Sequence, residues 1–212
     1  LGKSQMKNED YSAAIANFTA TINQNDKNPA AFNSRGMAYF NTGEYDLAEA
    51  DFKKALELNP GSAAIYSNLA NVSLANGKPD AALDYINKGT EKANNSEKVN
   101  LMILKGAHYH KTEDLENAEK TFDEAFKLDA DNPIILVNQA AIYLDQDKYE
   151  SAIEKCNSAL EIQAEMMEAY FNRGIAFEMM RKVEEACSDW EQAFILGSEK
   201  AEEYLNSPTC NE

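Results

Sequence analysis

The sequence predicts an all-α fold, a right-handed α-α superhelix of antiparallel helix pairs. Three observations carry that prediction: a self-similarity at 34 residues along the chain, apolar residues at helical spacing within each period, and breaker residues between periods. A small residue recurs at Gly2, Gly36, Ala70, Gly106, Ala140 and Gly174. Ala14, Ala48, Ala82, Ala118, Ala152 and Ala186 follow in register. Four residues later stand Phe18, Phe52, Ile86, Phe122, Cys156 and Trp190, and three further on Thr21, Ala55, Gly89, Ala125, Ala159 and Ala193. The steps are 34, 34, 36, 34 and 34 residues, and four columns locked together across six repeats are not chance.

The repeats run over 1–28 (incomplete), 29–62, 63–96, 97–132, 133–166 and 167–198, followed by a capping helix over 199–206 and a tail over 207–212. In repeat two, Phe32, Gly36 and Tyr39 share one face of a first helix. Gly43 ends that helix, because glycine tolerates the left-handed backbone common at helix C-termini. A second helix begins near Tyr45, with Ala48, Phe52 and Ala55 on its inner face, and Pro60-Gly61 breaks the chain before repeat three. Gly36 and Ala48 are small so that the two backbones can approach closely, with Phe52 filling the space beside them. Asn28-Pro29 and Asn132-Pro133 read as N-cap followed by first-turn proline.

Repeat three departs most from the pattern, with Ser73 at an aromatic position, Gly89 for alanine, and Pro79 leaving a thinner contact. The 36-residue step puts two extra residues into Glu91–Asn100, where a longer turn and a local change of pitch are expected. Leu1-Gly2 match the middle of a first helix, which predicts further chain upstream: a secretion signal, a lipid anchor or another domain. Glu199–Asn206 covers the last apolar face with Ala201, Tyr204 and Leu205, and Ser207–Glu212 is expected to be loose.

The spacing from Phe32 through Gly36, Tyr39, Gly43, Tyr45, Ala48, Phe52 and Ala55 to Pro60 resembles the tetratricopeptide repeat, a helix-turn-helix unit. The resemblance covers nearly the whole chain. Repeat six departs from it by carrying Arg181 where the helix-ending glycine is expected. Ala186-Cys-Ser-Asp-Trp190 followed by Leu196-Gly197 resembles repeat proteins common in bacteria, some of them exported, and points to a bacterial, envelope-facing origin.

Composition excludes several function classes. The 20 Lys and Arg stand against 36 Asp and Glu, a net charge of −16, which argues against nucleic acid as the partner. No apolar run is long enough for a membrane span. Residues 101–212 hold 10 basic and 24 acidic side chains, a balance of −14. Most of these acids, including Glu116, Glu119, Asp123, Glu124, Glu150, Glu154, Glu184, Glu185, Asp189 and Glu191, fall on second helices, which places them on outer solvated faces. His108 and His110 diverge by about 200° on a helix and cannot share one metal. His108 reads as a packing residue, and His110 as one that meets a ligand. Asp129–Asn132 lacks the glycine and distal glutamate of a calcium loop and reads as a turn. No catalytic residues, metal site or cofactor are expected. Cys156 and Cys187 read as small buried hydrophobes. In an oxidising compartment Cys210 would instead fold back and bond Cys187, stapling the cap.

What remains is the inner surface lined by first helices, whose free side predicts a peptide-binding groove. Its residues are Asn33, Met37, Phe40, Asn68, Asn71, Leu74, His110, Asn138, Asp145, Phe171, Asn172, Ile175 and Met179. Asparagine can donate to and accept from a peptide backbone, and Met and Phe supply adaptable apolar contacts. The resemblance implies that such a groove binds peptides, with Asn68, Asn138 and Asn172 either gripping the ligand or holding the fold. The basic clamp for a C-terminal carboxylate found in chaperone-binding members is absent: its positions hold Asn33, Met37, Asn68, Asn100 and Leu104. The expected protein is therefore a non-catalytic module binding a protein or peptide. The alternatives are a self-associating scaffold forming homo-oligomers, and a regulatory or anchoring part of a longer protein.

Overall fold

A computed structural model describes residues 10–211, and every regular element among them is helical. The expected half-helix around Leu1 and Gly2 lies outside the described residues. The chain divides into two compact halves, 1–105 and 106–212. The first holds α1 (Tyr11–Gln24), α2 (Pro29–Asn41), α3 (Tyr45–Leu58), α4 (Ala63–Ala75), α5 (Pro79–Thr90) and the opening of α6 (Asn95–Lys111). The second holds the end of α6, then α7 (Leu115–Leu128), α8 (Pro133–Asp145), α9 (Tyr149–Ile162), α10 (Met167–Met179), α11 (Val183–Ile195), α12 (Glu199–Leu205) and α13 (Pro208–Asn211). Within each half, consecutive helices pack in antiparallel pairs.

Helix starts follow side-chain capping. Asp10, Asn28, Ser62, Asp114, Asn132 and Ser198 each accept a hydrogen bond from an amide of the first turn. Asn132 also donates to Asp129 at 3.0 Å, so the Asp129–Asn132 segment is occupied with its own turn. Contrary to the expected longer turn, the extra residues of the long step enter α6, whose 17 residues compare with 13 in α2, α4 and α8. The cause is a reciprocal cap: Asn94 Oδ1 accepts from the Glu97 amide at 3.0 Å, and the Asn94 amide donates to Glu97 Oε2 at 3.1 Å.

First helices end in a recurrent turn. The amides of Glu44, Lys78, Asp114, Lys148 and Lys182 donate five residues back, at 2.8–2.9 Å, to the carbonyls of Tyr39, Ser73, Tyr109, Tyr143 and Phe177. The residue before each donor is left-handed whatever its identity: Gly43 and Gly77, but also Glu113, Asp147 and Arg181 at φ 62°, 58° and 60°. A side chain there costs about 1–2 kcal/mol, which tertiary packing offsets. Arg181→Gly is expected to raise unfolding stability by about 0.5–1 kcal/mol, read by urea denaturation; unchanged stability would mean the turn is not strained.

The small-residue column has a different cause from simple backbone approach. A Cβ built on Gly36 would lie 2.7 Å from the Phe52 ring, on Gly106 2.6 Å from the Phe122 ring, and on Gly174 2.5 Å from Trp190 Nε1. Glycine therefore stands where the partner sixteen residues on is a large ring. Ala70 and Ala140 stand opposite the smaller Ile86 and Cys156, all fully buried. Repeat three is not thinly packed either: Leu69, Ala70, Val72, Ala82 and Ile86 are fully buried, as is Ser73. Its Gly89 makes room for Tyr66, whose Cβ would be 2.7 Å from an added methyl.

The C-terminal segment is not loose. Pro208–Asn211 forms α13, Thr209 donates to Glu178 at 3.2 Å, and Cys210 is joined to Cys187 of α11 in a disulfide with Cα atoms 5.7 Å apart. Tyr204 of α12 packs on Trp190 and Phe171, with ring centroids 4.7 and 5.4 Å away. A six-residue tail with one cysteine is long enough to return over α11, which closes the last helix pair. Cys156 is a free thiol, buried among Ala140, Ala152 and Ala176, and burial pushes its pKa up to about 12. Non-reduced protein is therefore expected to show no reactive thiol when folded and one in denaturant, by colorimetric thiol titration. Three thiols in denaturant would exclude the Cys187–Cys210 bond.

Candidate functional site

The predicted groove residues of the second half come together on the face made by the first helices. One cleft of about 580 Å³ is lined by Val137, Asn138, Ala141, Met167, Phe171 and Asn172, among others. A neighbouring cleft of about 520 Å³ shares Val137, Asn138 and Met167. A third, of about 300 Å³, is lined by His110, Leu144, Asp145, Asn172, Ile175 and Met179 and shares Ala141 and Asn172 with the first. The three form one continuous furrow in which Asn138, Phe171, Asn172, Ile175, Met179, His110 and Asp145 all take part.

Helical registry explains the grouping. Asn138 and Ala141 lie on one face of α8, and Phe171, Asn172, Ile175 and Met179 recur at helical spacing on α10. The rest of each helix is spent on packing: Ala140 and Ile142 of α8, and Ala169, Gly174 and Ala176 of α10, are buried.

In the first half the predicted residues are only partly free of packing, since Phe40 and Leu74 lie against the cores around Phe52 and Ile86. Met37 is 40% exposed, while Asn33, Phe40, Asn68, Asn71 and Leu74 are half-buried. Asn68 donates to Asn33 Oδ1 at 2.9 Å, bridging α4 to α2. Asn172 donates to the Val137 carbonyl at 3.5 Å, and Asn138 to the carbonyl of Ile134 in its own helix at 2.7 Å. Asn68 and Asn172 thus join successive first helices, whereas Asn138 bonds within its own helix; in all three the amide nitrogen is the donor.

His110 does not stand alone. Its Nε2 lies 2.6 Å from Asp145 Oδ2, so two predicted ligand-facing residues face each other. Beside them, Tyr149 donates its hydroxyl to Asp147 at 2.6 Å, a bond that raises the tyrosine's pKa above its ordinary value. His108 is buried.

A second polar system was not visible as a pattern of identities. Arg35 of α2 makes a two-pronged ion pair with Asp51 of α3, at 2.7 and 2.8 Å, and reaches Thr19 of α1 at 3.1 Å. Arg173 of α10 repeats this, with Asp189 of α11 at 2.7 Å through both prongs and Asn157 of α9 at 2.5 Å. The same helix position holds Lys105, bonded to Asn87, and Gln139, bonded to Asp123. Only repeat three differs among the described residues, with Leu69 packed beside Tyr85 in the core. Hydrogen bonding to Asp51 and Asp189 raises the pKa of each arginine. These are fold-holding groups. Asp189 is accordingly buried, not on an outer face as the helix assignment suggested, and Glu119 accepts from Gln146 at 2.8 Å.

Among the described residues no group of His, Cys, Asp and Glu is arranged to hold a metal ion, and no helix is long and apolar enough to cross a membrane.

Comparison with known proteins agrees with this geometry. Tetratricopeptide repeat family models match residues 29–62, 52–84 and 103–166. The chain is 25% identical over 188 residues to the DnaJ protein P58IPK homolog of Arabidopsis thaliana, covering 89% of this chain and 35% of that protein. It spans about a third of the length of the first curated relatives it matches. Its fold is similar to that of PilW, a widely conserved type IV pilus biogenesis factor, with TM-score 0.83, 18% identity, and coverage of 97% of this chain and 96% of PilW. It is also similar to YrrB, a TPR protein with an unusual peptide-binding site, at TM-score 0.59 and 18% identity over 89% of this chain and 96% of that one. Period, helix pairs and matched segments coincide, and the chain belongs to the tetratricopeptide repeat family.

Proposed function

We propose that this chain is a non-catalytic protein–protein interaction module that takes a peptide segment or helix of its partner along the first-helix face. The observation that carries this reading is the furrow of the second half, where Asn138, Phe171, Asn172 and Ile175 line adjoining clefts that combine apolar side chains with asparagine amides. Concave surfaces with a few convergent polar groups on an apolar lining are where ligands bind. An extended segment would present backbone amides to the asparagine oxygens and apolar side chains to Phe171 and Ile175. That YrrB is a repeat protein with a peptide-binding site supports the same use of the fold.

The test is binding of a partner recovered by pull-down. Asn138→Arg and Ile175→Arg each add bulk and charge inside the furrow, and each is expected to weaken binding by about ten-fold or more. Glu154→Arg, on the exposed side of α9, is expected to leave it unchanged. Equal binding by all three variants would sink the furrow as the docking site.

A further inference from the structure

The furrow's rim is acidic, and most of that rim lies outside the predicted groove residues, of which only Asp145 is an acid. Glu165 and Glu168 border one end, from the loop before α10 and from its first turn, and Glu199 borders the same region from α12. Asp145 and Asp147 border the other end. Against these five carboxylates the linings contain one lysine, Lys200, together with His110, already bonded to Asp145. All five acids are exposed. Between the two ends the floor is apolar, with buried Val137, half-buried Met167, Phe171 and Ile175, and Ala141. The acids of the second half are therefore not confined to outer faces: a subset frames the candidate site.

We propose that the furrow selects a segment in which an apolar residue, seated over Val137 and Phe171, is flanked on both sides by lysine or arginine. The inference rests on the furrow being the docking site and adds the chemistry of what docks. Charge complementarity is the argument. A segment with acids at its ends would meet like charge at both rims, and one without an apolar centre would leave the floor facing water. The carboxylates of Asp145 and Asp147 keep free lone pairs after accepting from His110 and Tyr149, so each can still take a cation. The apolar centre supplies residence and the rims supply orientation and the rate of encounter.

The probe is a random dodecapeptide library displayed on phage and selected against the whole chain, with the selected peptides synthesised and measured by fluorescence anisotropy. Selected sequences are expected to carry Lys or Arg on each side of an apolar residue. Their binding should fall about ten-fold in Glu168→Lys combined with Glu199→Lys, and should weaken as salt is raised. Asn138→Arg, whose wild-type side chain bonds only within its own helix, should abolish it. Peptides lost on Asn138→Arg but neutral or acidic, or indifferent to the double charge reversal, overturn the charge inference and leave the furrow standing. Peptides indifferent to Asn138→Arg, or no selected peptides, overturn the docking site and the inference with it.

Discussion

Asp189→Ala is expected to destabilise the chain by about 3 kcal/mol, because it strands Arg173 between α9 and α11. Arg173 holds Asp189 with Nε and Nη2 at 2.7 Å each, its guanidinium lies over the Tyr170 ring at 5.4 Å, and Asp189 has a side-chain exposure of 7%. A buried ion pair adds little when formed and much when broken, since the remaining charge keeps its desolvation cost. The control is Asp84→Ala, which breaks an equally short pair with Lys88, but one whose side chains are about half exposed. That change is expected to cost less than about 0.5 kcal/mol. Urea denaturation of both variants decides it. Equal small losses would mean that the Arg173 cluster is a surface pair in energetic terms. Repeat three shows the other chemical solution at this position, Leu69 against Tyr85, so removing both charges together is expected to cost less than removing one.

Gly36→Ala is expected to cost about 2–3 kcal/mol, although alanine is the better helix former by about 1 kcal/mol. The added methyl would sit 2.7 and 2.8 Å from two atoms of the Phe52 ring, and that ring, 1% exposed, has nowhere to retreat. Phe52→Ile alone leaves a void and is expected to cost about 1–3 kcal/mol. Combined, the two changes recreate the Ala70–Ile86 pair of repeat three, and the double variant is expected to be more stable than either single one. The coupling should exceed about 1 kcal/mol. Additive losses would show that glycine stands at position 36 for a reason other than the ring.

Much of this fold was legible in the sequence because its determinants are local or strictly periodic. Asn28-Pro29 and Asn132-Pro133 cap helices through their own side chains, and Gly43 carries the left-handed turn. Two kinds of feature escaped. The polar run Glu91–Asn100 looked like loop, yet the Asn94–Glu97 cap and buried Val99 and Leu101 make helix of most of it. The Arg35 and Arg173 clusters were hidden because the column's chemistry changes from Arg to Leu, Lys, Gln and Arg while its reach across to the neighbouring helix stays the same. That Asn138 of α8 and Phe171, Asn172, Ile175 and Met179 of α10 line adjoining clefts was legible from helical registry. Of the furrow's acidic rim only Asp145 was, because Glu165 and Asp147 come from turns and Glu199 from the cap helix, while Glu168 sits in the first turn of α10, ahead of the Phe171–Met179 stripe.

Docking of partners in the furrow between α8 and α10, as proposed, is tested most directly by hydrogen exchange on the whole chain with and without a bound peptide. Docking there is expected to slow exchange in α8, α10 and the Gly197–Lys200 turn, and to leave the outer helices α7, α9 and α11 as they are in the free protein. Protection confined to α7, α9 or α11, with α8 and α10 unchanged, would contradict it.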